Sequence, residues 1–390
     1  MALITAETIF DGYEFLPKNT VLEITAEGII KDIFQANTME GVQGYEGMLM
    51  PGMVNAHCHL ELSHLKGLLP GGRGLIAFLL DVVTKREQIS TAEIKLAIEA
   101  AEKEMIENGI VAVGDISNTM DTLTQKARGN MRYHTFVECY GLKEERAAEI
   151  VIEAKRKSDV FARYGSSSVV LHAPYSVSGA LIREVDALAV GKITSIHNQE
   201  CEAENELFVS GSGDFLKLFE KLHFEKEHFK IENKTSIQTY MPQCVMQQRM
   251  ILVHNTMSSE EDVVWANGQG KDLFWCLCPK ANQYIENRMP DVAMLMQNTC
   301  KLVIGTDSLA SNDTLSVWEE IKTLQRYLPQ IPLKKMLKWA TSNGAEALGL
   351  DAVLGSFAIG KKPGVVQIEN FVMEQRILPA ESKVRMLAFH

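Results

Sequence analysis

The chain has 390 residues, 46% of them hydrophobic and 23% charged, a composition suited to one large globular domain with a smaller satellite. A formal charge of −11, with no basic stripe to offset it, excludes a nucleic-acid partner, since such partners are held by Lys and Arg. No apolar stretch approaches the roughly 20 residues that span a bilayer, the opening MALITAETIFDGYEF lacks the regions of a signal peptide, and 7 scattered cysteines fit reduced thiols, so a cytoplasmic protein without membrane contact is expected.

Residues 1–48 read as short alternating strands, Ala2–Phe10, Thr20–Ile24 and Gly28–Ile33. From Leu49 onward, β-branched runs alternate with longer helical stretches, the sign of βαβ units and a parallel sheet. There are eight such runs: MLMPGMVNAHCH, GIVAVGDIS, MRYHTFVECYG, SSSVVLHAPYS, GKITSIHNQE, RMILVHNT, KDLFWCLCP and CKLVIGTDS. Helical spacing of apolar residues marks Thr91–Asn108 and Glu144–Phe161 between them. Val169–Leu171 and Ile251–Val253 are continuously apolar, as strands buried on both faces are. The tail from Leu354, LGSFAIGKKPGVVQIEN, returns to strands and glycine turns. These elements predict a (β/α)₈ TIM-type barrel over 49–352 and a small β-sandwich built from 1–48 plus 353–390.

Strand propensity does not explain how the runs end. His57 and His59, Asp115, Glu138, His172, His197, His254, Cys278 and Asp307 close them. In an α/β barrel those ends gather on the rim that carries the active site. An open dinucleotide-binding sheet is disfavoured, because no glycine-rich fingerprint follows the first run. His57 and His59 lie two residues apart, so along a strand they face the same way and can bind one metal. By itself H-x-H is a weak signal; His197, His254 and Asp307 on the same rim strengthen it. Imidazole with carboxylate suits Zn²⁺ or Fe²⁺ in a site that leaves a position for water.

The blocks PGMVNAHCHLELS, HNQE at His197–Glu200, VHNT around His254 and GTDSLASNDTLS at Asp307 resemble the signatures of the amidohydrolase superfamily. They are most similar to the branch of cytosine, guanine and adenosine-like deaminases and triazine hydrolases. The resemblance implies one divalent metal, Zn²⁺ or Fe²⁺, on His57, His59, His197 and Asp307, with Asp307 also accepting a proton from water. It further implies Glu200 as proton shuttle, His254 beside the water, and Ser308 next to the substrate. Because the fourth run ends in His172 and not in a lysine open to carbamylation, one metal is expected and not two. Two departures stand out: GKKPG at Lys361–Gly364 where the family carries an aspartate, and a Phe215–Tyr240 stretch placed where a lid could form.

The form HCHLELS, with Glu61 and Ser63, looks most like deaminases of aminodeoxyfutalosine, an adenine nucleoside bearing a carboxyphenyl group. A carboxylate calls for a planar guanidinium, and Arg73 and Arg288 follow the first and seventh runs. His172 is weighed equally as a substrate contact and as a helix-start residue. The same apparatus could instead serve a guanine or cytosine deaminase, a chlorohydrolase or a cyclic-amide hydrolase, and retention of the full ligand set disfavours a non-enzymatic scaffold. The expected partner is a small-molecule substrate, with homo-oligomerisation left open. Plainer readings suit other residues. His64, His134, His223, His228 and His390 are structural or surface histidines, Cys276 and Cys278 buried free thiols, and Asp115 and Glu138 hydrogen-bonding rim residues.

Overall fold

The computed structural model describes residues 1–86, 88–221, 224, 231, 233–246, 249–371 and 378–387. His223, His228 and His390, and part of the 215–240 stretch, lie outside them. In chain order the strands are β1 (Ala2–Ile9), β2 (Thr20–Ile24), β3 (Ile30–Gln35), β4 (Gln43–Pro51), β5 (Met53–Cys58), β6 (Ile110–Ile116) and β7 (Arg132–Cys139). They continue with β8 (Ser166–Leu171), β9 (Ile193–Asn198), β10 (Arg249–His254), β11 (Asp272–Leu277), β12 (Lys301–Ile304), β13 (Val365–Glu369) and β14 (Lys383–Leu387). All eight runs expected after Leu49 are strands, β5 to β12. Among the described residues no helix is long and apolar enough to cross a membrane.

The eight strands form two parallel four-stranded sheets, β5-β6-β7-β8 and β9-β10-β11-β12. Between the sheets the ladder narrows to isolated bonds. His197 N–H donates to His172 O at 3.0 Å, while Thr306 and Asp307 N–H both donate to His57 O at 3.0 and 3.1 Å. The fold is thus of the expected α/β barrel type, but its hydrogen-bond ladder is not continuous around the ring. Gly305 permits the second seam: a Cβ there would come within 2.9 Å of His57 O and 3.0 Å of Cys276 Sγ.

The strand residues are buried on both faces. Met250 and Leu252 pack in the layer between sheet and helices, whereas Ile251 and Val253 belong to a second cluster with Val54, Phe136 and Phe274. This is why Ile251–Val253 is apolar without alternation. The helix Thr91–Glu107 starts on a capping box, in which Ser90 Oγ accepts from Glu93 N–H and Glu93 returns the bond to Ser90 N–H at 3.1 Å. The second expected helix is shorter, Ala147–Phe161, because Glu144–Arg146 form a tighter 3₁₀ turn.

The two ends of the chain do meet, in one six-stranded sheet ordered β14-β13-β4-β1-β2-β3. It is a single ladder, not the two facing sheets of the expected sandwich. The reason is β4: it pairs parallel to β1 on one edge and antiparallel to β13 on the other, so terminal strands extend one sheet. The ladder on β4 runs to Pro51, past the position where a change of unit was expected.

Candidate active site

Each functional side chain stands at or just beyond the end of a parallel strand. His57 lies at the end of β5 and His59 just after it, Glu138 is the penultimate residue of β7, His172 follows β8, His197 lies in β9, and Glu200 comes three residues after it. His254 closes β10, and Asp307 follows β12. Two of these positions have left-handed backbone, His254 at φ 73° and Asp307 at φ 57°. Side chains other than glycine rarely adopt that conformation, and where they do it often marks a functional constraint.

The nitrogen and oxygen atoms converge. His59 Nε2 lies 3.3 Å from His197 Nε2 and 3.5 Å from Asp307 Oδ1, and His57 Nε2 lies 3.6 Å from the same oxygen. Ligand atoms of His57, His59 and Asp307 all fall within 4.8 Å of one another, as do those of His57, His197 and His254, and of His59, His197 and Glu138. His57 is fully buried, yet neither of its ring nitrogens has a hydrogen-bond partner. A buried imidazole without partners is costly unless something else takes its lone pair. The cluster therefore suits a divalent cation, and three imidazoles with a carboxylate are the donor set of Zn²⁺ or Fe²⁺.

Surrounding groups set the protonation states. His197 Nδ1 donates to His172 O at 2.7 Å, and His254 Nδ1 donates to Asn282 Oδ1 at 2.8 Å, so each presents an unprotonated Nε2 to the centre. Burial, with the neighbouring imidazoles, holds His59 at about 3, and His172 and His254 at about 4. All three are neutral at physiological pH. For Asp307 burial pushes upward, but the imidazoles of His57, His59 and His254 around it prevail and keep it ionised. Ser311 Oγ donates to its second oxygen at 2.5 Å. Glu200 is raised well above the usual carboxyl range by burial and then by Asp307, and its Oε1 lies 3.5 Å from His254 Nε2. The backbone around it is held by buried Glu204, which accepts from Gln199 N–H at 3.0 Å and Glu200 N–H at 3.3 Å.

A cavity of about 250 Å³ opens onto this centre, lined by His59, Glu61, His172, His197, Glu200, His254, Asp307 and Ser308 among others. Three residues expected at the substrate lie elsewhere. Ser63 Oγ donates to Leu60 O at 2.7 Å and stitches the turn after His59. Arg73 is half exposed and pairs with Asp81 at 2.9 Å, and Arg288, equally exposed, lies 4.0 Å from Glu202. Both arginines follow the expected strands in the chain, but their side chains are more than half exposed. Glu61 lines the cavity, yet three donors already hold its Oε2: Asn118 N–H at 3.0 Å, with Thr119 N–H and Thr119 Oγ1 at 2.8 Å.

Two residues acquire a place that sequence reasoning did not give them. Glu138, read as a rim hydrogen-bonder, stands 3.5 Å from His197 Nδ1, and burial raises it to about 8. Its position at the end of a run was the available signal. Arg86 lines the same cavity from the end of the helix Leu75–Arg86, where no motif marks it.

The sequence pattern of the amidohydrolase family matches residues 48–377. The chain belongs to the amidohydrolase family. This amidohydrolase is 24% identical to the aminodeoxyfutalosine deaminase of Nitratiruptor sp. over 373 residues, covering 90% of this chain and 89% of that one. The crystal structure of Helicobacter pylori aminofutalosine deaminase in complex with methylthio-coformycin superposes with a TM-score of 0.85 at 22% identity, covering 100% of this chain and 98% of that one. An adenosine deaminase from Xanthomonas campestris with bound zinc gives a TM-score of 0.74 at 20% identity, over 98% and 89% of the two chains. The structural likenesses establish a shared fold.

Proposed function

We propose that this amidohydrolase is a metal-dependent hydrolytic deaminase of an adenine nucleoside derivative, with aminodeoxyfutalosine as the leading candidate. The observation that carries the reading is the convergence of His57, His59, His197 and Asp307 at one end of an apolar cavity, with Glu200 and His254 3.5 Å apart beside them. The family and the deaminase relatives support it. In this reading His57, His59, His197 and Asp307 hold one divalent ion, Zn²⁺ before Fe²⁺, and the His172 carbonyl fixes the Nδ1 side of His197, with Glu138 alongside. The ion supplies Lewis acidity that makes a water nucleophilic near neutral pH.

The chain's own groups move the protons. Asp307, ionised, accepts a proton from the attacking water. Glu200, held protonated by burial, delivers its proton to a ring nitrogen as the carbon bearing the amine is attacked. His254, neutral and with its Nδ1 held by Asn282, presents a free Nε2 3.5 Å from Glu200 Oε1, where it accepts a hydrogen bond from the attacking water and orients it. As the carbon–nitrogen bond breaks, Asp307 returns its proton to the departing amine and the new hydroxyl gives its proton back to Glu200, so amine and water give the oxo product and ammonia. The two-part organisation, 1–48 plus 353–390 around 49–352, and action in the cytoplasm complete the proposal. All seven cysteines are free thiols, which supports the latter.

Ammonia release should be measured over aminodeoxyfutalosine, adenosine, 5′-methylthioadenosine, guanine and cytosine, with metal content determined in parallel. One divalent ion per chain and preference for an adenine nucleoside are expected, with activity lost on chelation and restored by Zn²⁺. Preferred turnover of guanine or a free pyrimidine overturns the substrate assignment.

A further inference from the structure

The cavity has a polar end at the metal cluster and an apolar arm leading away from it. Leu75, Phe78, Leu79 and Val82, on the helix Leu75–Arg86, form one wall of the arm, and Leu218 and Phe219 contribute another. The helix ends at Arg86, the only Lys or Arg lining this cavity among the described residues. Its guanidinium stands 3.2 Å from Glu61 Oε1, but the alignment is too poor for a hydrogen bond. Arg86 Nη2 and Glu61 Oε1 are therefore both buried without a hydrogen-bond partner. Glu61 is itself anchored through Oε2 by two backbone N–H groups and a hydroxyl, so it is a fixed post that aims the arginine.

A cation with unfilled donors on an apolar wall recognises an anion carried on an apolar group, because charge-assisted bonds are worth most where water is scarce. Resting on the deaminase reading, we propose that Arg86 is the specificity-determining residue of this site. It binds a carboxylate at the far end of an apolar, aryl-sized substituent of the substrate. The guanidinium fork matches a planar carboxylate, and Glu61 alongside disfavours a doubly charged phosphate. The role expected of Arg73 or Arg288 thus passes to an arginine that sits inside the cavity.

The test compares wild type, Arg86→Ala and Arg86→Lys, all metal-loaded and matched in metal content and unfolding temperature. Each is assayed on an adenine nucleoside with a 5′-linked carboxyphenyl group and on its carboxamide. Loss of the charged contact should raise KM for the acid on the order of 10- to 100-fold in Arg86→Ala, with kcat changed far less. The acid-over-amide preference should collapse, and Arg86→Lys should restore part of it. An equal fall for acid and amide, or no change in their ratio, overturns the proposal. A second readout is independent of turnover: benzoate and benzamide binding followed by ligand-observed NMR. Should wild type deaminate no adenine nucleoside, the deaminase reading fails, while benzoate binding seen in wild type and lost in Arg86→Ala still supports the arginine site. Benzoate binding that is absent, or equal in both proteins, rules it out.

Discussion

At the scale of single residues, the proposed reaction depends on two buried carboxyls that their neighbours hold in opposite states. Asp307 stays ionised because imidazoles and Ser311 surround it, whereas burial, with Asp307, Glu204 and Glu286 nearby, pushes Glu200 toward its protonated form. Glu200→Gln keeps the shape and removes the transferable proton. We expect kcat to fall on the order of 10²-fold or more, with metal content unchanged. If the variant loses its metal, Glu200 is a ligand and the role is wrong. His134 illustrates a histidine with a structural role. Buried in β7 between Ser168 Oγ at 3.0 Å and Ser166 Oγ at 2.8 Å, it is pushed down to about 3 by burial. The unfolded chain takes up a proton below about pH 6.5 that the folded chain refuses, so this residue's contribution is lost as pH falls from about 6.5 toward 3. Replacing it by Gln removes that dependence. The stability advantage of wild type over the variant should therefore shrink between neutral pH and about pH 5, by up to about 1.4 kcal/mol per unit in denaturant unfolding. A difference constant with pH contradicts this.

Among the elements, the turn Leu60–Leu65 after His59 is held from behind. Asp115 at the end of β6 accepts from Leu60 N–H at 2.8 Å and pairs at 2.6 Å with Lys126, itself fully enclosed and bonded to Ser117 and Thr135 at 3.0 Å. Removing one partner strands a buried charge, and Lys126→Met should cost about 3–5 kcal/mol in unfolding experiments. Replacing both, as Asp115→Leu with Lys126→Met, should recover much of that stability. It leaves Leu60 N–H without an acceptor, so metal affinity should stay weakened even in the more stable double variant. Full metal affinity there would show that Asp115 does not position the His57–His59 loop. The sequence reading had Asp115 as a hydrogen-bonding rim residue, and its lysine partner, eleven positions on, carried no local mark.

For the whole molecule, the terminal sheet ties the first residues to the last across β4. Gly47 has φ 75°, and a Cβ there would collide with the carbonyl oxygen of Ile368 in β13. Gly47→Val adds left-handed strain to that collision. We expect a loss of more than about 1 kcal/mol, read as a lower unfolding temperature, with the active-site cavity intact in the folded fraction. An unchanged unfolding temperature would mean that β4 and β13 do not depend on their close approach. Trp318, fully buried on the helix Val317–Tyr327, adds a second tie through its Nε1–H to Ser382 Oγ at 3.1 Å.

What the sequence determined by itself was local in origin: eight buried strands, because apolar runs such as Ile251–Val253 need no partner to be read, and a set of polar residues closing them. Strand alternation also put His57 and His59 on one face, and the motif around Asp307 was legible as it stood. Only the tertiary structure decided which strand-following residues enter the cavity. Arg73 and Arg288 follow the first and seventh barrel strands yet are more than half exposed, while Arg86 reaches the cavity from the far end of a helix. It likewise decided that the terminal strands extend one sheet, since β4 pairs with β1 on one edge and, on the other, with β13, more than 300 positions away. The physical reason is the same in each case. Periodicity and propensity act over a few residues, whereas direction into a cavity, charge pairing and strand order are set by packing between segments distant in the chain.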